Sequence, residues 1–303
     1  MRVLVTGSSG LIGERLISHL DRKGHSAVRF DVRASPAQDI RSREALDRHL
    51  SGCDGVIHLA AISRVAWGEQ NPELCRDVNV AATALIIERM KAAGDPWMVF
   101  ASSREVYGNP AGALVTERDP ISPVNIYGRS KADAEEVVQQ ATLRGLKSSI
   151  IRLSNVYGST NDHPDRAIPA ILWKALANEP IRLTGGETYF DFVHVEDCCE
   201  GIFTAALKLH GGRGSLPPVH LTTGIPTNLS EVARLALALN GSKATVELIA
   251  PRAFDVVGFC GDPSNASKLL NWRASVPVRQ GMQTLLEEFQ HIGRPMKPLK
   301  MPC

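Results

Sequence analysis

Residues 2–13 of the chain, RVLVTGSSGLIG, join a short run of strand-forming residues to three glycines, Gly7, Gly10 and Gly13. The run is too short for a helix, so it predicts a buried strand, a tight turn and then a helix that begins near Gly10. One glycine permits the turn, one lets the backbone approach a pyrophosphate, and one lets the helix pack against the strand. The stretch therefore predicts a dinucleotide-binding turn, where the N–H groups and the dipole of the helix N-terminus hold the phosphates.

An acidic residue follows at the distance that such a turn requires. Residues 27–31, AVRFD, predict a second strand that ends in Asp31, about 20 residues beyond the glycines. A carboxylate at this place can accept hydrogen bonds from the adenosine ribose, and it favours NAD because it repels the 2′-phosphate of NADP. Arg33 could offset that repulsion, so NADP is the alternative cofactor.

Composition excludes several classes of protein. Hydrophobic residues make up 44% and charged residues 22% of the 303 residues, which is typical of a globular protein. The net charge of +2, without a basic cluster, gives no case for nucleic acid binding, and no apolar stretch reaches the ~18 residues of a membrane span. The start of the chain lacks a secretory signal, and the six cysteines lack metal-type spacing. We therefore expect a cytoplasmic protein without a metal.

Strand-like and helical stretches alternate through the first half of the chain. We expect strands at 3–6, 27–31, 55–59, 97–101 and 148–153, and helices at 11–20, 43–50, 74–90 and 130–142. This alternation predicts an α/β fold, a Rossmann-like doubly wound parallel sheet with helices on both faces. Later in the chain we expect a strand at 190–195 and helices at 196–207, 229–239 and 278–292, the helix at 229 being capped by Asn228.

The pattern loosens beyond Asn155, which predicts a smaller C-terminal substrate domain. We expect residues 1–158 to form the NAD-binding domain, with 190–209 returning to it. Residues 159–189 and 210–303 are then expected to form the substrate-binding domain.

Three residues form the predicted catalytic group. Tyr127 and Lys131 are four residues apart in a predicted helix, which places the phenol and the ammonium on one face. A nearby cation favours the phenolate, so we predict that Tyr127 is a base near neutral pH and that Lys131 also holds the nicotinamide ribose. Ser103 follows the fourth strand, and ligands bind at the carboxyl ends of the strands in such sheets.

Several ordered motifs resemble the extended short-chain dehydrogenases/reductases, in particular the NAD-dependent sugar epimerase/dehydratase family. The resemblance covers nearly the whole chain and is carried by residues 6–13, 39–40 (DI), 58–61 (HLAA), 79–80 (NV), 152–158 (RLSNVYG), 191–197 (DFVHVED) and 252–272. With the glycine turn and Asp31, it implies that the cofactor-binding residues are Gly7, Gly10, Leu11, Ile12, Gly13, Asp31, Asp39, Ile40, Leu59, Ala60, Ala61, Asn79, Tyr127 and Lys131. It also implies that the protein is a homodimer and that its substrate is a nucleotide-activated sugar. The substrate-binding residues would then be Ser103, Asn155, Arg252 and Asp255.

Two positions depart from the family pattern. Members that bind nucleotide-activated sugars commonly have an arginine just before the Asp-Phe of the returning strand, where this chain has Phe190. Arg252 could still bind a diphosphate. Many relatives that deprotonate a sugar at C5 have an acid where Glu105 stands, so Glu105 is a candidate catalytic residue, with a capping or pairing role as the alternative. Arg104 occupies the place of an aspartate found in certain dehydratases, which weakens a dehydratase interpretation.

The resemblance implies an enzyme that oxidises a sugar hydroxyl through Tyr127 and transfers hydride to bound NAD. If the keto sugar is then reduced again, the protein is an epimerase, which is the function we expect. A nucleotide-sugar 4,6-dehydratase and a 4-keto-sugar reductase are the alternatives. A non-catalytic NAD-sensing protein on the same fold would be free to lose the tyrosine or the lysine, whereas Ser103, Tyr127 and Lys131 are all present.

Overall fold

The computed structural model describes residues 1–112, 114–250 and 256–293. Its strands are β1 (Arg2–Thr6), β2 (Ser26–Phe30), β3 (Gly55–His58), β4 (Trp97–Ser103), β5 (Ser148–Leu153), β6 (Asn155–Tyr157), β7 (Ile181–Thr184), β8 (Tyr189–His194), β9 (Val219–Leu221), β10 (Pro226–Asn228) and β11 (Val246–Ile249). Its α-helices are α1 (Leu11–Arg22), α2 (Arg43–Leu50), α3 (Val65–Gln70), α4 (Pro72–Arg76), α5 (Ala82–Ala92), α6 (Ile126–Leu143), α7 (Ala167–Leu176), α8 (Val195–His210), α9 (Leu229–Asn240) and α10 (Val278–Ile292). A 3-10 turn covers Arg104–Tyr107, and π-helical turns cover Asp77–Ala81 and Ala266–Leu270.

The large sheet is parallel, and in the described ranges its strands lie in the order β2-β1-β3-β4-β5-β9. Helices α1 and α8 cover one face, and α2, α5 and α6 cover the other. The direction of the chain across the sheet reverses between β1 and β3, and ligands bind above the carboxyl ends of the strands at such a point. The predicted α/β, Rossmann-like, doubly wound fold is confirmed.

The predicted helix at 74–90 is not continuous. It consists of α4, the π-helical turn Asp77–Ala81 and α5. Single π turns inside helices occur frequently at functional sites. This turn contains Asn79, whose side chain is buried against the loop after β3. Asn228 caps α9 as predicted, and Glu231 completes a capping box there.

A smaller assembly lies beside the carboxyl ends of the large sheet. It contains the sheets β10-β8-β6 and β11-β7, and its core is formed with helices α7, α9 and α10. The strand expected at 190–195 is β8, which pairs with β6 and β10, whereas α8 packs under the large sheet. Two segments of the region expected to bind substrate lie with the large sheet: β9 forms its edge, and Trp272 packs into its core.

In the described part of the chain, no helix combines the length and the apolar character needed to cross a membrane.

Candidate active site

A cleft of about 720 Å³ lies at the carboxyl ends of β1, β3 and β4 and extends toward the smaller assembly. It brings together most of the predicted residues, which line it as follows: Gly7, Gly10, Leu11, Ile12, Gly13, Asp31, Asp39, Ile40, Leu59, Ala60, Ala61, Ser103, Glu105, Tyr127, Lys131 and Asn155. Asn79 does not line the cleft. Arg252 and Asp255 lie outside the described residues.

The glycine turn provides a close-fitting cradle at one end of the cleft. Gly7 has a φ of +70°, in the left-handed region that favours glycine. A Cβ atom on Gly13 would lie 2.2 Å from the carbonyl oxygen of Gly7, so only glycine lets α1 pack this closely against the turn. Gly10 precedes α1 without a capping side chain, which leaves the first N–H groups of the helix available for an anion. The turn therefore fits the pyrophosphate of a dinucleotide.

Asp31 and Arg33 lie where the adenosine ribose is expected. The Asp31 carboxylate accepts hydrogen bonds from the backbone N–H groups of Ser9, at 2.9 Å, and Arg33, at 2.8 Å. The Arg33 guanidinium donates to the carbonyl oxygen of Ser9, and its Nε atom is 3.9 Å from Asp31. Because Arg33 is engaged by the turn and its neighbouring carboxylate, the arrangement favours an unphosphorylated ribose.

Asn79 lies outside the cleft and is joined by hydrogen bonds to helix α6, which carries Tyr127 and Lys131. Its amide accepts a hydrogen bond from the Ile62 N–H at 2.8 Å and donates to the Ser130 hydroxyl at 2.8 Å. Ser130 in turn donates to the carbonyl oxygen of Tyr127 at 2.8 Å. Its amide therefore joins the loop after β3 to α6, and the predicted role of Asn79 as a cofactor ligand stays a prediction.

Tyr127 and Lys131 lie one helical turn apart on the buried face of α6. Burial raises the pKa of Tyr127 to about 12, and a hydrogen bond with Ser103 offsets only part of that rise. Burial lowers the pKa of Lys131 to about 8, and its ammonium lies 4.3 Å from the centre of the Phe100 ring. The prediction that the pKa of Tyr127 lies near neutrality is therefore wrong, because loss of solvation outweighs the groups that lower it.

Glu105 lies in the turn after β4, and two neighbouring side chains bind its carboxylate. One carboxylate oxygen is 2.8 Å from Nη2 of Arg104, and the other accepts a hydrogen bond from the Asn125 amide at 2.8 Å. Asn125 also caps α6 by accepting from the Gly128 N–H at 2.7 Å. Through Asn125, Glu105 thus joins the start of α6 to the end of β4, a contact of the kind expected for the pairing alternative.

Arg104 is the main residue of the site that sequence reasoning did not select as a binding residue. Its Nε donates to Oδ1 of Asn155 at 2.6 Å, and its guanidinium carbon lies 4.5 Å from the centre of the Phe190 ring. Asn155, the predicted substrate ligand, therefore holds Arg104. The residues involved come from the 3-10 turn after β4, from β6 and from β8, so no local sequence signal could have indicated their meeting.

Charged residues from two loops line the same cleft as Tyr127. Arg64 forms an ion pair with Asp165 at 2.5 Å, and Arg166 lies 3.4 Å from Asp162. The charge of Arg166 acts to lower the pKa of Tyr127, although burial outweighs it. In the described ranges, no group of three or more His, Cys, Asp or Glu residues is arranged to hold a metal ion.

The family model of the NAD dependent epimerase/dehydratase family matches residues 3–215. A UDP-glucose 4-epimerase from Mycolicibacterium smegmatis is 28% identical over 314 residues, covering 96% of this chain and 99% of the relative. The solved structure of MoeE5 in complex with UDP-glucose and NAD is 29% identical with a TM-score of 0.90, and it covers 96% of this chain and 99% of MoeE5. The dTDP-glucose 4,6-dehydratase DesIV from Streptomyces venezuelae, solved with NAD, is 27% identical with a TM-score of 0.87, covering 96% and 97% of the two chains. This chain is an enzyme that belongs to the NAD-dependent epimerase/dehydratase family.

Proposed function

We propose that the protein is an NAD-dependent epimerase of a nucleotide-activated sugar. The observation that carries this proposal is the meeting of Ser103, Tyr127 and Lys131 beside a glycine turn that fits a pyrophosphate, in one cleft. The similarity to UDP-glucose 4-epimerases over nearly the whole chain supports it and favours a uridine diphosphate sugar.

The residues of the cleft suit a cofactor that stays bound through the reaction. The glycine turn and the first N–H groups of α1 would hold the pyrophosphate of NAD, Asp31 would hold the adenosine ribose, and Lys131 the nicotinamide ribose. NAD, when bound, supplies an acceptor that takes a hydride from the sugar carbon and gives it back.

Side chains of the cleft carry out the proton transfer. In its phenolate form, Tyr127 takes the proton of the sugar hydroxyl on Oη as the carbonyl forms, and the phenol that results returns the proton when the hydroxyl forms again. Ser103 lies next to this oxygen and orients the same hydroxyl. Lys131 has a pKa of about 8, so it carries a positive charge at pH 7 and stabilises the phenolate while it exists.

The environment of Glu105 favours epimerisation over dehydration. Removal of a proton from C5 requires a carboxylate that is free to approach the sugar. Both oxygens of Glu105 are already engaged, by Arg104 and by Asn125. We therefore propose that Glu105 is a positioning residue, and that the keto sugar is reduced rather than dehydrated.

The test is to incubate the purified protein with UDP-glucose and, separately, with UDP-glucuronic acid, and to follow the products by NMR. The expected result is conversion of one of them to an epimer without net formation of NADH, and retention of NAD on the purified protein. Accumulation of a 4-keto-6-deoxy sugar would establish a dehydratase instead. Stoichiometric consumption of added NADH would establish a reductase, and failure to bind either sugar nucleotide would refute the proposal.

We also propose a cytoplasmic homodimer. Five cysteines in the described residues are free thiols, as in a reducing compartment. The homodimer rests on the family resemblance, and sedimentation velocity of the purified protein tests it directly: a single species of one-chain mass would refute it.

A further inference from the structure

Arg104 is a buried arginine at the sugar end of the cleft. It follows Ser103 directly, lines the same cleft as Tyr127, and is only 9% exposed. Burying a guanidinium is costly unless its charge and its N–H groups are satisfied. Burial of the Arg104 guanidinium therefore lowers the stability of the fold. A cation kept beside the sugar despite this loss is expected to take part in binding the substrate.

The guanidinium is fixed in place but incompletely satisfied. Asn155 accepts from Nε at 2.6 Å, Glu105 lies 2.8 Å from Nη2, and the ring of Phe190 covers the planar face at 4.5 Å. Its Nη1 atom has no hydrogen-bond partner among the described residues, although it is buried. A buried donor without a partner is destabilising, and an acceptor supplied by a ligand in the cleft would satisfy it.

The charges around this end of the cleft favour an anion. The cations are Arg64, Arg104, Lys131 and Arg166, and the anions that face them are Glu105, Asp162 and Asp165. Three of the cations are paired with these three carboxylates. Lys131 lies over the ring of Phe100 instead, and Glu135, whose charge also acts on Lys131, forms an ion pair with Arg152, so the surplus of one positive charge remains.

We infer that Arg104 binds a carboxylate carried by the sugar ring, so that the substrate is a nucleotide-activated uronic acid. This inference rests on the proposed function and narrows its substrate class. A carboxylate offers the planar pair of oxygens that a guanidinium binds best, and a charge-assisted hydrogen bond is about twice as strong as a neutral one. The hydroxymethyl group of a neutral hexose offers one uncharged oxygen. A diphosphate would supply a similar anion, but Arg104 stands directly beside Ser103, where the ring itself must lie to react.

The experiment measures the affinity of the NAD-loaded protein for UDP-glucuronic acid, UDP-glucose and UDP by calorimetry. The variants are Arg104→Met, Arg104→Lys, Glu105→Gln and the double variant Arg104→Met/Glu105→Gln. The double variant removes both partners of the ion pair, so that no unpaired charge is left buried. Arg43→Met is the matched control, since Arg43 forms an exposed ion pair with Glu88 and does not line the cleft. NAD affinity and thermal unfolding establish that each variant is folded.

We expect the wild-type protein to bind UDP-glucuronic acid at least about 10-fold more tightly than UDP-glucose. Both methionine variants should lose this preference, whereas Glu105→Gln and Arg43→Met keep it. Arg104→Lys should retain part of it, because it keeps the charge but not the planar donor pair. If Arg104→Met does not fold, the double variant and Arg104→Lys decide the question.

Two results would overturn the inference while leaving the proposed function intact. One is a wild-type protein that binds the two sugar nucleotides equally, or a preference that survives in the methionine variants. The other is a loss of affinity for UDP in the methionine variants that equals their loss of affinity for UDP-glucuronic acid. That result would show that Arg104 binds the diphosphate. Absence of binding for all three nucleotides would refute the proposed function, and the inference with it.

Discussion

Replacing Gly13 with alanine tests the glycine turn most directly. The added Cβ would lie 2.2 Å from the carbonyl oxygen of Gly7 and 2.7 Å from Cα of Ser8. An ordinary contact needs about 1 Å more, and both neighbours are backbone atoms that cannot move aside as a side chain would. Overpacking of this kind costs about 1–3 kcal/mol, and each kcal/mol lowers Tm by about 1.5–2 °C in a chain of 303 residues.

The same displacement moves the N–H groups that would hold the pyrophosphate of NAD. Loss of one charge-assisted hydrogen bond costs about 1.5–3 kcal/mol, so NAD affinity should fall by about 10-fold to 150-fold. Calorimetric titration with NAD measures this, and differential scanning fluorimetry without NAD measures the change in Tm. Gly112→Ala is the matched control, since its Cβ would meet only an ordinary contact at 3.6 Å. Wild-type NAD affinity in Gly13→Ala would refute the assignment of this turn to the pyrophosphate.

Three further predictions concern the cofactor and the proton. Tyr127→Phe should lower kcat by two to four orders of magnitude, roughly the range of general acid–base catalysis, with NAD affinity nearly unchanged; a variant that retains most of its activity would exclude Tyr127 as the base. Asp31→Ala should weaken NAD binding and relax discrimination against NADP, since the carboxylate both accepts from the ribose and repels a 2′-phosphate; calorimetry with both cofactors decides, and unchanged affinities would contradict it. Because the pKa of Lys131 is lowered to about 8, its charge is present at pH 7 and disappears as the pH rises through that value, so kcat should fall above about pH 8. Lys131→Met should be slow and should lack this decline, and a decline of equal size in the variant would assign it to another group.

Strands β1, β3, β4 and β5 of the large sheet could be predicted because they are nearly continuous buried runs, whereas the edge strand β9, with only three residues, was not predicted. All four residues of β3 and all seven of β4 are buried, so their sequences carry a strong apolar signal. The glycine turn was equally predictable, since steric fit at Gly7 and Gly13 restricts the residue type. Such signals depend only on residues that are close together in the sequence, so they can be recognised without knowledge of the rest of the fold.

The smaller assembly could be predicted only in part. Strands β6 and β10 contain three residues each, which is too few for an alternating pattern, and they form because β8 supplies a partner for both. All four residues of β11 are exposed, so this strand has no buried face to mark it. Helix α9 was predictable because Asn228 and the apolar spacing are local features. Strand β8 and helix α10 were predicted as well, whereas the short strands of this assembly depend on pairing between distant segments, which a single sequence does not display.

The pKa of Tyr127 is a property that the spacing of residues in the sequence cannot predict. Four residues between a tyrosine and a lysine place both on one helical face, but the sign of a pKa shift depends on whether loss of solvation or attraction to a charge is larger. Here burial raises the pKa of the phenol and lowers that of Lys131, whose ammonium is turned toward Phe100. The groups that do lower the pKa of Tyr127 are Ser103 and Arg166, which come from other elements of the fold. The pKa of this phenol is therefore a property of the assembled cleft, and the same Tyr-x-x-x-Lys spacing on an exposed helix would not give this shift.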